Sequence, residues 1–223
     1  MNVRPVGSDL FAAGQIFGAE EYRVPDRYAA ALSRFARESA KVGRSPVIID
    51  AGANVGYAAL YFAERYPDCR VIAVEADEDT YRDMVRNVAG CERIAAVHSA
   101  VWNHCAGVSL VGSDLGSWAT RVEDSGLTPS ATLSQIMAAA PDPQLVVLKL
   151  DIEGAEREVC ASEPELLRSA PCILIEPHDF MLPGAGGLAP LYAALAGRRI
   201  DTLIRGENLM FFDLDILGPF LLD

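Results

Sequence analysis

Four short apolar runs constrain this chain more than any other feature: Val47-Ile48-Ile49, Val71-Ile72-Ala73-Val74, Leu145 to Leu150, and Cys172 to Ile175. A strand that is apolar on both sides is covered on both faces, which is the pattern of a parallel sheet between helical layers. Helical segments alternate with these runs, as that architecture requires. Residues 55–66 carry Val55, Ala58, Ala59, Phe62 and Ala63 on one face and end at Pro67. Asp77 to Val88 is a second helix, stopped at Gly90, followed by a strand from Arg93 to Val97. Further helices are expected at 154–161 and 188–196. Ile200 to Ile204 and Leu209 to Phe212 read as final strands joined at Gly206, and so short a turn makes them antiparallel. Gly107, Gly112, Gly116 and Gly126 punctuate residues 102–135, which read as a β-hairpin insertion and a loop. A short helix from Leu133 to Ala140 follows. Tyr28 to Lys41 has helical spacing until Pro46 breaks it. The expected organisation is an N-terminal helical cap over 1–45 and one α/β domain over 46–223.

Several classes are excluded by charge and size. The 223 residues carry a net charge of −12, which repels phosphate backbones and anionic lipid, so neither nucleic acid nor a membrane is the expected partner. No stretch reaches the roughly 18 apolar residues of a membrane span. Arg4 and Asp9 interrupt any apolar leader, so a cytoplasmic protein is expected. Cys69, Cys91, Cys105, Cys160 and Cys172 are odd in number and lack C-x-x-C spacing, so they read as small packing residues rather than a zinc site or disulfide framework.

The run Asp50-Ala51-Gly52-Ala53-Asn54-Val55-Gly56 leaves an apolar strand and enters a helix. In such sheets ligands sit at the carboxyl ends of the strands. Gly52 permits a sharp turn and close approach of a ligand, and Gly56 lets the new helix pack closely on the strand. The helix start offers free N–H groups to a carboxylate or a phosphate. A dinucleotide loop needs G-x-G-x-x-G, and Asn54 stands where a glycine would be, which disfavours NAD. Glu75 closes the second strand about 20 residues on, where a carboxylate can accept both ribose hydroxyls. Adenine would then lie between Ala76 and the end of the third strand, near Ser99 and Ala100. The loop pattern D-x-G-x-N-x-G resembles the first motif of class I methyltransferases.

The other distinctive run is Leu148-Lys149-Leu150-Asp151-Ile152-Glu153-Gly154-Ala155-Glu156. Acidic residues favour a helix start, but a lysine inside so apolar a strand calls for a carboxylate partner. The two runs together, with Ile175-Glu176-Pro177-His178, resemble the FkbM family of methyltransferases over about residues 46–180. That resemblance implies a class I, Rossmann-like fold: a mostly parallel seven-stranded sheet with an antiparallel C-terminal hairpin and helices on both faces. It implies S-adenosylmethionine as cofactor, held by Asp50, Gly52, Ala53, Asn54, Gly56 and Glu75, with Asp151 at the methyl-transfer edge. It also implies O-methylation of a small molecule such as a natural product or a sugar. Two positions depart from the family pattern: Pro177 between Glu176 and His178, and Ser134 where many members have aspartate.

Methyl transfer to a hydroxyl needs a base, and the unperturbed pKa of histidine suits neutral pH. His178 is the expected base, with Asp151 and Glu176 beside it; His98 and His104 lie in less suitable places. Asp151, Glu176, His178 and Asp179, at the ends of two strands, could instead bind Mg²⁺ or Mn²⁺, although a metal-free site is the expectation. Tyr22, Tyr28, Trp102 and Trp118 are weighed as pocket residues against ordinary packing, which is favoured for each. Residues 1–45 and 102–135 are the candidate substrate lid. Carboxyl or N-methylation, a non-catalytic nucleotide-binding module and an NAD-linked oxidoreductase are the competing readings. The acceptor is not named by the sequence, and a homodimer is compatible with it.

Overall fold

The computed structural model describes residues 12–113, 116–124, 126–179 and 183–221, and all their side chains except those of 111–113 and 116–124. A π-helical turn at Gly14–Gly18 precedes α1 (Asp26–Lys41), β1 (Ser45–Ala51), α2 (Tyr57–Arg65), β2 (Arg70–Glu75), α3 (Glu78–Val88) and β3 (Ile94–His98). The insertion holds β4 (Ala100–Val101), β5 (Val108–Ser113), β6 (Gly116–Asp124) and β7 (Ser130–Ala131). Then come α4 (Leu133–Met137), β8 (Pro143–Leu150), α5 (Glu156–Ser162), α6 (Pro164–Ser169) and β9 (Cys172–Ile175). The chain closes with α7 (Ala189–Leu195), β10 (Ile200–Arg205), β11 (Asn208–Asp213) and α8 (Leu214–Leu217).

Seven strands make one sheet in the order β10-β11-β9-β8-β1-β2-β3. All neighbours from β9 to β3 are parallel, and β11 enters antiparallel between β9 and β10. The chain moves from β1 outward to β3, then returns to the other side of β1 as β8. The switch in strand order therefore falls between β1 and β8, where ligands bind in open α/β sheets. This is the expected class I methyltransferase sheet.

Alternation along each strand divides the core into two layers. Ile48, Val71, Leu174, Met210 and Phe212 face α1, α2 and α3, meeting Leu32, Phe62 and Met84. Val47, Ile49, Leu148, Leu150, Ile173 and Ile175 face the other way, meeting Leu133, Val159, Leu167 and Leu191. Burying each such side chain contributes about 1.5–3 kcal/mol. Helix α1 joins the first layer through Ala29, Leu32 and Ala36. It is tied to the C-terminal hairpin by Tyr28, which stacks on Phe212 at 4.2 Å and donates its hydroxyl hydrogen to Asp201.

The hairpin expected in 102–135 is present as β5 and β6, and β4 pairs with β7 in a separate two-stranded sheet. One helix is different. The helix expected to end at Ala161 runs to Ser162, and a second, α6, begins at Pro164, a residue suited to a first turn because its missing N–H is not needed there. Among the described residues, no helix is long and apolar enough to cross a membrane.

Candidate active site

The loop after β1 is built from backbone conformations that few residues tolerate. Gly52 has φ +74°, and a Cβ there would lie 1.7 Å from the Asp151 carbonyl oxygen. The loop and the end of β8 are thus in direct backbone contact, and only glycine fits between them. Asn54 also lies in the left-handed region, at φ 50°, which asparagine tolerates better than most residues. A Cβ on Gly56 would meet Val88 and Met84 of α3 at 2.9 and 3.0 Å. The close packing expected of Gly56 is therefore against α3, not against the strand.

Glu75 stands at the end of β2 and accepts the Asn54 N–H at 2.8 Å and the Asp77 N–H at 2.9 Å. Burial pushes its carboxyl above the usual range, against the pull of these two bonds. Each oxygen keeps a second lone pair for a ribose hydroxyl. Helix α2 begins at Gly56 without a capping side chain, which suits a carboxylate ligand at that end. Ser99 sits beside this edge, its N–H bonded to the Glu75 carbonyl. Both Ser99 and Ala100 are buried, and the Ser99 hydroxyl bonds the Ala100 carbonyl at 3.0 Å, so the adenine side offers walls more than free polar groups. Ala76 is half-buried there, with its carbonyl bonded by His98. These features fit an adenosine carrying an amino-acid tail.

Asp50 has a different place. It is fully buried, and its carboxylate faces the Lys149 ammonium at 3.0 Å. Lys149 also donates to the Gly52 carbonyl at 2.9 Å, reaches Asp151 at 3.3 Å and lies over the Tyr22 ring at 5.7 Å. Burial works against the ammonium, but Asp50, Tyr22 and Asp151 hold its pKa well above the usual value. Asp50 therefore acts on the loop through Lys149 rather than on a ligand directly.

The second constellation gathers at the ends of β8 and β9. His178 is buried; its Nδ1 lies 2.8 Å from Glu156 Oε1, and its Nε2 faces Glu153 at 3.5 Å and Glu176 at 3.6 Å. Pro177 does not misdirect it. Burial pulls the imidazole pKa down, but the Glu156 hydrogen bond and the surrounding carboxylates outweigh this and hold it at about 9. Glu153 is pushed up to about 7 by burial, with Asp151 adding to the shift. Glu176 is pushed up to about 7 by burial and then by Asp151. Asp151, Glu153 and His178 bring potential metal-ligand atoms within 4.8 Å of one another.

Sequence reasoning put Asp151, Glu176, His178 and Asp179 in one set; the structure gathers the first three around His178, whereas Asp179 accepts the Gly187 N–H. Glu153 stands with them at this edge, and Glu156 is the member that sequence reasoning missed, although the D-x-E-G-x-E spacing held the signal. The four aromatic candidates separate. Tyr22 reaches the site through Lys149, Tyr28 tethers α1, and Trp102 packs in the second core layer. The Trp118 side chain lies outside the described residues. Ser134 bonds Glu163 through both its N–H and its hydroxyl, linking α4 to the start of α6.

The family model for the methyltransferase FkbM domain matches residues 50–206. No curated protein matches the chain. Among solved structures, the chain is similar to a precorrin-6y C5,15-methyltransferase from Geobacter metallireducens GS-15, with 11% identity over 80% of this chain and 84% of that one, at TM-score 0.42. It is also similar to monomeric WbdD, with 11% identity over 89% of this chain and 44% of that one, at TM-score 0.46. A third is the METTL16 methyltransferase domain, with 11% identity over 81% of this chain and 63% of that one, at TM-score 0.46.

Proposed function

The chain belongs to the FkbM family of methyltransferases with S-adenosylmethionine as methyl donor, and we propose that its acceptor is a hydroxyl oxygen on a small molecule. One observation carries this reading: the Gly52 turn touches Asp151, so the donor loop and the carboxylate–histidine cluster share one edge of the sheet. S-adenosylmethionine, when bound, supplies a methyl group on a sulfonium centre. The rest falls to the chain. Gly52 and Asn54 shape the loop, Glu75 accepts the ribose hydroxyls, and Ala76, Ser99 and Ala100 flank the base. A hydroxyl acceptor must lose its proton near the transition state, whereas a carboxylate acceptor needs only positioning. A cluster of partly buried carboxylates at the transfer edge supports the hydroxyl.

Glu176 stands at the end of β9 with its side chain 24% exposed, open to an incoming acceptor. In this reading it takes the proton, and Asp151 sets the acceptor against the loop. His178, held at Nδ1 by Glu156, positions Glu176 and Glu153 instead of serving as the base. The cytoplasmic setting is part of the same proposal, supported by five cysteines that all stay unpaired.

Calorimetry with S-adenosylhomocysteine and with NAD tests the donor site: binding of NAD alone would sink the reading. An acceptor panel of polyols and sugars, amines and carboxylic acids, read by mass for the gain of one methylene, tests the acceptor class. Transfer confined to amines or carboxylic acids would overturn the hydroxyl assignment.

A further inference from the structure

We propose that Asp151, Glu153 and His178 form a binding site for a divalent cation of the Mg²⁺ or Mn²⁺ class, with Asn208 as a further oxygen donor and Glu176 beside it. The three residues come from the β8–α5 turn and the segment after β9, and their ligand atoms lie within 4.8 Å of one another. The separations from His178 Nε2 are 3.5 Å to Glu153 and 3.6 Å to Glu176. Neighbouring ligands in an octahedron of about 2.1 Å bonds stand about 3 Å apart. The His178–Glu153 separation needs to close by about half an ångström, and the wider separations, within 4.8 Å, close as the carboxylates rotate onto the ion.

Two features distinguish it from an ordinary acidic patch. The imidazole is buried and its Nδ1 is committed to Glu156, itself only 3% exposed, which turns Nε2 toward the carboxylates. This is the carboxylate–histidine order that orients metal-binding imidazoles. The independent observation is Asn208. It is 1% exposed, and neither Nδ2 nor Oδ1 has a hydrogen-bond partner among the described residues. Leu209 pairs with Ile175, so one step further Asn208 lies opposite Glu176 and on the same face of the sheet. A buried amide left without a partner is costly and asks for a ligand. Its carbonyl oxygen is a ligand that hard cations accept.

The charge balance points the same way. Lys149 is committed to Asp50 and the Gly52 carbonyl, and reaches only Asp151 of the three proposed ligands, at 3.3 Å. Among the described residues, the ion pairs of Glu153 and Glu176 both run to His178. Carboxylates with a single imidazole and no thiolate select a hard cation. The role of the cation rests on the hydroxyl-acceptor reading: beside Glu176 it would lower the pKa of the acceptor hydroxyl. Its binding does not rest on that reading.

The test is titration of the EDTA-treated chain with MnCl₂ alone, with free Mn²⁺ followed by electron paramagnetic resonance. One equivalent is expected to bind. Glu153→Gln and His178→Gln should each weaken it by about tenfold or more, as loss of a ligand or its support does. Asn208→Leu should weaken it less, and Glu163→Gln, an acidic residue away from the site, should leave it unchanged. S-adenosylhomocysteine calorimetry on the same samples identifies folded variants. If His178→Gln does not fold, Glu153→Gln at a one-third exposed side chain carries the test. No binding at millimolar Mn²⁺, or equal binding by parent and both variants, would overturn the site. Mn²⁺ binding without S-adenosylhomocysteine binding would instead overturn the donor assignment and leave the metal site standing.

Discussion

The donor half and the acceptor half of the site are held by different physics. Gly52, Asn54 and Gly56 hold the donor loop through backbone conformation, and Glu75 fixes it with two backbone N–H bonds. The acceptor half is held by side-chain charge: Asp151, Glu153, Glu156, Glu176 and His178 constrain one another across two loops. A backbone-built half keeps its shape whatever the occupant. A charge-built half depends on protonation and on what enters it. The first suits a donor that is the same in every turnover; the second, in the proposed reading, suits a site whose charge the acceptor and its proton change.

Lys149 joins the two halves, so its loss should have the largest effect. Lys149→Met leaves Asp50 charged, buried and without its ion pair, and breaking a buried pair from one side costs about 3–5 kcal/mol. Urea denaturation should show this, together with loss of S-adenosylhomocysteine binding. A loss below about 1 kcal/mol would mean that the halves stand independently. Gly52→Ala comes next. Its Cβ would collide with backbone, which cannot swing aside, and φ +74° adds strain. Together these cost about 3 kcal/mol. Gly90→Ala, with nothing within 4 Å, is the matched control and should be neutral within about 0.5 kcal/mol. Equal effects at the two glycines would remove the case for a backbone-built loop.

The same division explains what could be read in advance. The sheet was legible because its strands are continuous apolar runs and its last hairpin has a short turn. The donor loop was legible because backbone demands act over seven consecutive residues, so Gly52, Asn54 and Gly56 announce themselves. The charge-built half was only partly so. Asp151 and Glu176 stand at strand ends and could be placed by topology, but the partner of His178 is Glu156, 22 residues away in sequence. A histidine read alone suggests a base; the carboxylates packed around this one hold it at about 9, and only the folded chain brings them there. Asn208 gave no signal, because an asparagine beside a turn is ordinary until the register, carried one residue past the Leu209–Ile175 pair, points it toward Glu176. Nor did sequence separate Asp50 from the other donor residues, since only burial shows that it answers to Lys149.

Glu75→Gln should act on the donor half alone. It replaces one of the two oxygens that accept the Asn54 and Asp77 N–H groups with an amide NH₂, so affinity for S-adenosylhomocysteine should fall about tenfold or more at neutral pH, with a stability loss of about 1–3 kcal/mol from the unmade loop bond. The pH dependence has a definite sign. Burial raises the Glu75 carboxyl above the usual range, so its proton returns at a higher pH than for an exposed glutamate. Affinity should be level above that pKa and decline as pH falls through it, while Glu75→Gln gives a flatter curve. Calorimetry across the neutral to mildly acidic range checks both. Identical profiles for parent and variant would remove Glu75 from the donor half.

The smallest expected effect is the one that most directly probes openness in the acceptor half. Asn208 holds two polar atoms out of water without a partner among the described residues. Replacing both with an apolar side chain of similar size removes the desolvation cost and breaks no hydrogen bond. Asn208→Leu should therefore leave thermal stability unchanged or raise it by up to about 1 kcal/mol, and leave S-adenosylhomocysteine affinity as it was. Its effect belongs in the occupant of the acceptor half, as weaker Mn²⁺ binding and poorer turnover. A stability loss of about 2 kcal/mol would show instead that Asn208 is a brace within the fold. The acceptor half would then be a closed set of ion pairs with no place kept for a ligand.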